Sequence, residues 1–174
     1  MPAFKLIRVA AVCAALLFIP GQLFALELDK LNKDLVILDG KKLEKVKDVD
    51  LGSKKYIAFY YSAHWCPPCR AFTPGLSKSY KKLKKKYGDD FELIFVSSDK
   101  NENAMAEYMD WGEMEFPALE FKGNAHMSMR PYGASGIPYM VVFDKDGKEI
   151  LGKGGEKWVH PSSVLEAFED LLKG

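Results

Sequence analysis

Apolar positions along this chain follow two periods in turn. Lys55-Tyr56-Ile57-Ala58-Phe59-Tyr60-Tyr61 is a β-branched and aromatic run bounded by polar residues, which predicts a central strand. Behind it, Phe72, Leu76, Tyr80, Leu83 and Tyr87 recur at spacings of four, four, three and four, one buried stripe of a helix that Gly88 ends. Pro74 lies inside that helix, removes the bond to the Arg70 carbonyl and predicts a kink. Phe91-Glu92-Leu93-Ile94-Phe95-Val96-Ser97 is almost continuously apolar, as a parallel strand covered on both faces should be. A helix from about Asn103 to Trp111 follows, and Gly136 to Phe143 forms another strand, entered at Pro138. Asp144-Lys145-Asp146-Gly147 is a hairpin turn into a strand from Lys148 to about Leu151, with Gly152, Gly154 and Gly155 as a link beyond. Ser163 and Glu166 form a capping-box pattern for a closing helix that carries Val164, Leu165, Phe168, Leu171 and Leu172. Ahead of all this, Leu26 to about Asp50 is charged and irregular, broken by Leu35-Val36-Ile37-Leu38 and the turn Asp39-Gly40, which predicts a short strand and then a loop or hairpin.

Length changes the picture by setting how many such units there are. At 174 residues, 48% apolar and 28% charged, the chain suits one well-cored domain and a leader. Residues 1–25 read as a signal peptide: Lys5 and Arg8 start it, Val9 to Pro20 is apolar, and Leu23-Phe24-Ala25 ends it, with cleavage expected after Ala25. The alternative is an N-terminal membrane anchor, but an apolar run of about a dozen residues falls short of the ~20 that span a bilayer. The domain is then 26–174, with its core at about 55–152, in the periplasm or secreted. Without Lys5 and Arg8, the 25 basic residues become 23 against 24 acidic, so no nucleic-acid partner is expected. Cys13 leaves with the leader, and the mature chain keeps Cys66 and Cys69.

Those two sulfurs hold the chemistry. In Trp65-Cys66-Pro67-Pro68-Cys69 the prolines suit the first turn of a helix, where their missing N–H has no partner to lose. Cysteines three apart at such a helix start share one face and can close a small disulfide. The amide most available to a Cys66 thiolate is that of Cys69, helped by the positive end of the helix dipole, so Cys66 should be the acidic, attacking thiol. A structural disulfide is the alternative, but so short a loop constrains little unfolded chain. A zinc site is another, but it needs about four ligands, and beyond the two cysteines only His64, His126 and His160 remain, none at a ligand-pair spacing. No metal and no cofactor are expected.

The string Phe59-Tyr60-Tyr61-Ser62-Ala63-His64-Trp65-Cys66-Pro67-Pro68-Cys69-Arg70-Ala71-Phe72-Thr73-Pro74 resembles the thioredoxin superfamily, and within it the tryparedoxin and nucleoredoxin branch. The resemblance implies an α/β, thioredoxin-like single domain with a central mixed β-sheet flanked by helices, here of an exported bacterial type. It also implies a cis proline at Pro138 facing the dithiol, with the Ile137 backbone pairing with a partner polypeptide in strand fashion and Trp65 and Pro67 touching it. Relatives usually place threonine where Tyr139 stands, and a Met-Pro-Trp segment near Met114-Glu115-Phe116-Pro117; both are departures. Many thioredoxins carry an aspartate six residues before the first cysteine to take the proton of the second. Tyr60 stands there, as the tryparedoxin-like branch also lacks that acid, and Asp99 and Asp90 are the remaining candidates.

The implied activity is thiol-disulfide exchange. The Cys66 thiolate attacks a disulfide on a partner protein, and Cys69 resolves the mixed disulfide. Reduction or isomerisation is expected over net oxidation. The partners are disulfide-containing proteins and a membrane electron donor or acceptor, and the protein is expected to be a monomer. A non-catalytic polypeptide-binding module is the reading from another class. His64 could add positive field beside Cys66, His160 reads as a surface histidine, and Met127 and Met129 read as core fillers.

Overall fold

The structure is a computed structural model that describes residues 26–133, 135–152 and 158–174. The leader, Gly154 and Gly155 lie outside the described residues. A short 3-10 segment leads into β1 (Leu35–Asp39), which turns at Gly40 into β2 (Lys42–Lys45). Next come β3 (Tyr56–Ser62), α1 (Pro67–Tyr87), β4 (Phe91–Ser97), α2 (Glu102–Trp111) and β5 (Ala118–Leu119). The chain closes with α3 (Asn124–Met129), β6 (Tyr139–Asp144), β7 (Glu149–Leu151) and α4 (Pro161–Leu171).

All strands join one sheet in the order β2-β1-β5-β4-β3-β6-β7. The β3-α1-β4 crossover makes β3 and β4 parallel, with Tyr60 opposite Phe95 and Ser62 opposite Ser97. β6 runs antiparallel on the other side of β3, with Tyr61 opposite Tyr139. The sheet is therefore mixed, as a thioredoxin-like fold requires, and β3 is covered on both edges.

Alternation along β3 divides the core in two. Ala58 and Tyr60 face one layer with α1, α2 and α4, while Ile57, Phe59 and Tyr61 face the other with the N-terminal segment and α3. Burial on both faces explains why these strands read as unbroken apolar runs. Glu92 is the interruption, and it is only 3% exposed. Its carboxylate accepts from Tyr80 Oη at 2.9 Å and pairs with Lys84 Nζ at 2.9 Å, so α1 supplies the partners that burial of a charge demands.

Three local expectations are corrected. The closing helix begins before Ser163: Pro161 takes the first helical position, and His160 is the cap, its Nδ1 accepting the Ser162 N–H at 3.2 Å. Proline preorganises that start, so the Ser163 and Glu166 pattern falls inside the helix. Met129 is fully buried, but Met127 is exposed, because it lies on the outer side of the single turn-and-a-half of α3. Asp90 sits at the start of β4, paired with Lys55 Nζ at 3.0 Å, at the sheet edge opposite the cysteines.

Candidate active site

β3 ends at Ser62, and the chain turns at once into α1, so Ala63-His64-Trp65-Cys66 lies at the carboxyl edge of the parallel strands, where α/β sheets gather their sites. Cys66 is the N-cap of α1, with φ −91° and ψ 111°, and Pro67 and Pro68 occupy the first turn. Because neither proline has an N–H, the first amide that reaches back is that of Cys69, whose N lies 3.4 Å from Cys66 Sγ. The two cysteines form a disulfide with Cα atoms 5.2 Å apart.

Exposure separates their roles. Cys66 keeps 4% of its surface open and Cys69 has 0%, so only Cys66 presents sulfur to a partner. The Ile137-Pro138 bond is cis, and the Ile137 carbonyl oxygen lies 3.6 Å from Cys66 Sγ. A disulfide sulfur has no proton, so this is a contact in the oxidised form; the reduced thiol could donate to the same carbonyl. Trp65, Cys66, Pro67, Pro68, Ser98, Gly136 and Ile137 line a shallow cleft of about 530 Å³ over the sulfur.

The loop that carries the motif is tied to the end of β4. The His64 N–H donates to Asp99 Oδ1 at 2.8 Å, the Ser98 N–H to the Ser62 carbonyl at 2.8 Å, and Trp65 Nε1 to the Ser98 carbonyl at 3.0 Å. Asp99 Oδ2 accepts from Ser97 Oγ at 2.8 Å. Burial raises the Asp99 carboxyl above its ordinary value, against the opposing pull of the His64 and Ser97 hydrogen bonds. The His64 ring stacks on Tyr108 at 5.3 Å and tilts against Trp111 at 5.8 Å, and Tyr108 and Trp111 stack at 5.9 Å, a three-ring cluster that accounts for its position.

Under the dithiol, hydroxyls stand where many thioredoxins carry an acid. Thr73 Oγ1 donates to the Cys69 carbonyl at 3.0 Å, so its lone pairs must receive Tyr60 Oη, 2.8 Å away, and Tyr108 Oη. Ser62 Oγ, 2.9 Å from Tyr108, then donates to that oxygen. Burial pushes the Tyr60 hydroxyl well above the ordinary phenol range, with Tyr108 adding to it, so Tyr60 stays neutral. Of the two candidate acids, Asp90 is excluded by its place at the far edge, and Asp99 is bonded to the motif loop itself.

Sequence reasoning missed Trp158. It is 45% exposed and donates Nε1–H to the Pro138 carbonyl at 3.1 Å, pinning the cis-proline loop. Its ring edge meets His160 at 5.7 Å, and His160 meets Phe72 at 6.1 Å. The only hint in the sequence is a tryptophan three residues before a helix-starting proline, outside any apolar period. Thr73 and Tyr108 were equally silent, since each reads as an ordinary helix residue. Among the described residues, no group of three His, Cys, Asp or Glu side chains gathers as a metal site.

A mixed sheet with its central strands buried on both faces, a Cys-Pro-Pro-Cys turn capping the first long helix and a cis proline beside its sulfur define a thioredoxin-like redox protein. The sequence model of a family described as thioredoxin-like matches residues 53–149, and the chain belongs to that family. Nucleoredoxins and tryparedoxins are among its relatives, and these are thiol-disulfide oxidoreductases. The chain is 40% identical to nucleoredoxin of Bos taurus over 124 residues, which is 64% of this chain and 28% of that protein. It is 36% identical to tryparedoxin of Trypanosoma brucei brucei over 114 residues, 63% of this chain and 76% of that protein. A crystal structure of thioredoxin from Wuchereria bancrofti superposes with a TM-score of 0.60 and 33% identity, covering 81% of this chain and 96% of that one. The chain spans less than a third of the length of the nucleoredoxins, for which the matched shares run from 28% to 30% in the vertebrate proteins.

Proposed function

We propose that this protein reduces or exchanges disulfides in partner proteins through a Cys66 and Cys69 dithiol-disulfide cycle. In the reduced form the Cys66 thiolate, stabilised by the Cys69 N–H and the α1 dipole, attacks a partner disulfide in line and expels one partner thiolate. Cys69 then attacks Cys66 Sγ, releases the second partner thiolate and restores the internal disulfide. Two electrons pass from the dithiol to the partner, and the two protons shed by the cysteines end on the partner's thiols. The observation that carries this is the 3.4 Å approach of the Cys69 amide to a Cys66 sulfur that also meets the Ile137 carbonyl at the cis-proline loop. Ile137, Pro138, Trp65 and Pro67 would receive the partner chain around the sulfur.

The leader at residues 1–25 supports export, with work in the periplasm or outside the cell and electrons exchanged with a membrane protein. N-terminal sequencing of the exported protein is expected to begin at Leu26, and an intact Met1 in that fraction would overturn the export reading.

Insulin-disulfide reduction tests the chemistry. Cys66→Ser should abolish turnover, while Cys69→Ser should accumulate a mixed disulfide with the substrate. Full function of Cys66→Ser in partner binding and in cells would favour the non-catalytic binding module instead.

A further inference from the structure

Four hydroxyls meet beneath the second cysteine, and Tyr60, Ser62, Thr73 and Tyr108 are each fully or almost fully buried. Their protons can be assigned by counting. A carbonyl only accepts, so the Thr73 hydroxyl donates to the Cys69 oxygen at 3.0 Å, and its two lone pairs take the O–H groups of Tyr60 and Tyr108. Tyr108 has then spent its proton, and Ser62 Oγ, 2.9 Å away, donates to it. Every O–H in the group therefore runs toward the Cys69 peptide.

The group is neutral and closed to solvent. Burial keeps the Tyr60 hydroxyl protonated, far above the ordinary phenol range. Charged and titratable side chains reach only its neighbours. The His64 ring stacks on Tyr108, Asp99 and Arg70 bind the backbone N–H and carbonyl of His64, and His160 packs on Phe72, the residue before Thr73. The resolving cysteine thus faces aligned dipoles where a buried acid would put a negative charge. The two environments act with opposite sign: a carboxylate beside a thiol disfavours the thiolate, whereas donors that reinforce one another toward it lower the cost of its charge.

We propose that Tyr60, Thr73 and Tyr108 are positioning residues for the resolving half of the cycle, their oriented hydroxyls favouring the Cys69 thiolate without taking its proton. The proposal rests on the reading of Cys66 and Cys69 as a dithiol-disulfide pair and assigns the residues that speed its second step. In that step the Cys69 thiol gives its proton to the departing partner thiolate, the Cys69 sulfur bonds to Cys66 Sγ, and the bond from Cys66 to the partner sulfur breaks with its electron pair on the partner. The partner is reduced and the dithiol oxidised. Cys69 is 0% exposed and Cys66 4%, so the proton leaves on the Cys66 side, away from the hydroxyls.

The test mixes the reduced full-length chain, freed of reductant, with one equivalent of the chromogenic disulfide of nitrothiobenzoate in a stopped-flow instrument across a pH series. The first coloured thiolate released reports attack by Cys66, and the second reports resolution by Cys69. Tyr60→Phe removes one donor to Thr73 and strands no other group. It should slow the second release about three- to tenfold near neutral pH and move its pH midpoint upward, the size of one hydrogen bond, while the first release stays within about twofold. Tyr108→Phe should act in the same direction, and either variant suffices if the other does not fold. An unchanged midpoint for the second release in the folded variant would overturn the proposal, and so would equal slowing of both releases, which would place the effect in general packing. Release of a single thiolate by wild type would sink the Cys66 and Cys69 cycle itself, a result distinct from an unchanged midpoint in the variants.

Discussion

The Asp99 carboxylate accepts the backbone N–H of His64 at 2.8 Å, and so a buried acid holds the loop that delivers Cys66. Its pKa is raised by burial, which fixes the sign of its effect on stability. Well below the ordinary value of about 3.9 the group is protonated in both folded and unfolded chains. As pH rises from there through the raised folded value, the unfolded chain has released its proton while the folded one holds it, so stability falls across that interval and stays lower above it. Asp99→Asn keeps an acceptor for His64 and does not titrate. The melting temperature of wild type minus that of Asp99→Asn should therefore decrease from pH 3 to pH 7, and a flat difference would contradict the burial argument.

Gly112, at the end of α2, leaves room for α1 to approach closely. A Cβ there would stand 2.7 Å from Thr73 Cγ2 and 3.1 Å from the Tyr108 carbonyl. Thr73 holds the Cys69 carbonyl, so the push would reach the dithiol. Gly112→Ala should destabilise by about 1–3 kcal/mol in urea titration, as overpacking does. Thr73→Val should cost a similar ~1–3 kcal/mol by stranding the Tyr60 and Tyr108 hydroxyls in the core.

Glu92 is a buried charge whose loss leaves other groups stranded. Glu92→Ala strands the buried Tyr80 Oη, which donates to it at 2.9 Å, and takes the partner of Lys84 Nζ, which keeps the Phe91 carbonyl at 3.0 Å. The expected cost is ~1–3 kcal/mol by denaturant unfolding, that of one unsatisfied buried hydroxyl. Glu92→Gln, which retains the Tyr80 acceptor, should lose less than Glu92→Ala; the reverse order would show that the pair does not stabilise this strand.

Trp158 reaches the site through one hydrogen bond to the Pro138 carbonyl. Trp158→Phe keeps a ring and loses the N–H, a net ~0.5–1.5 kcal/mol. If that bond positions the cis-proline loop for a partner, KM for insulin should rise several-fold with kcat changed little. An equal fall of kcat with constant KM would place the effect in the sulfur chemistry instead.

Most of the element boundaries were legible because they are written in short-range patterns. The period of α1, the continuous apolar character of β3 and β4, and the turn at Asp144 to Gly147 each depend on residues within one element. The turn, for example, is closed by Asp144 Oδ1 accepting the N–H groups of Asp146 and Lys148 at 3.0 and 2.9 Å. The last helix was legible in its apolar face and not in its start, because Pro161 and His160 outcompete the Ser163 pattern only once the helix axis is set.

By itself the sequence determined the redox pair, since three-residue spacing and two prolines at a helix start dictate both the closeness of the sulfurs and which amide meets Cys66. Only the tertiary structure decided that Asp99 and not Asp90 accompanies the motif, that Trp158 lands on Pro138, and that Thr73, Tyr60, Tyr108 and Ser62 join into one hydroxyl network. The physical reason is that these meetings follow from strand order and register. Asp90 and Asp99 flank the same strand, and the parallel pairing of Ser62 with Ser97 carries one to the cysteines and the other to the opposite edge.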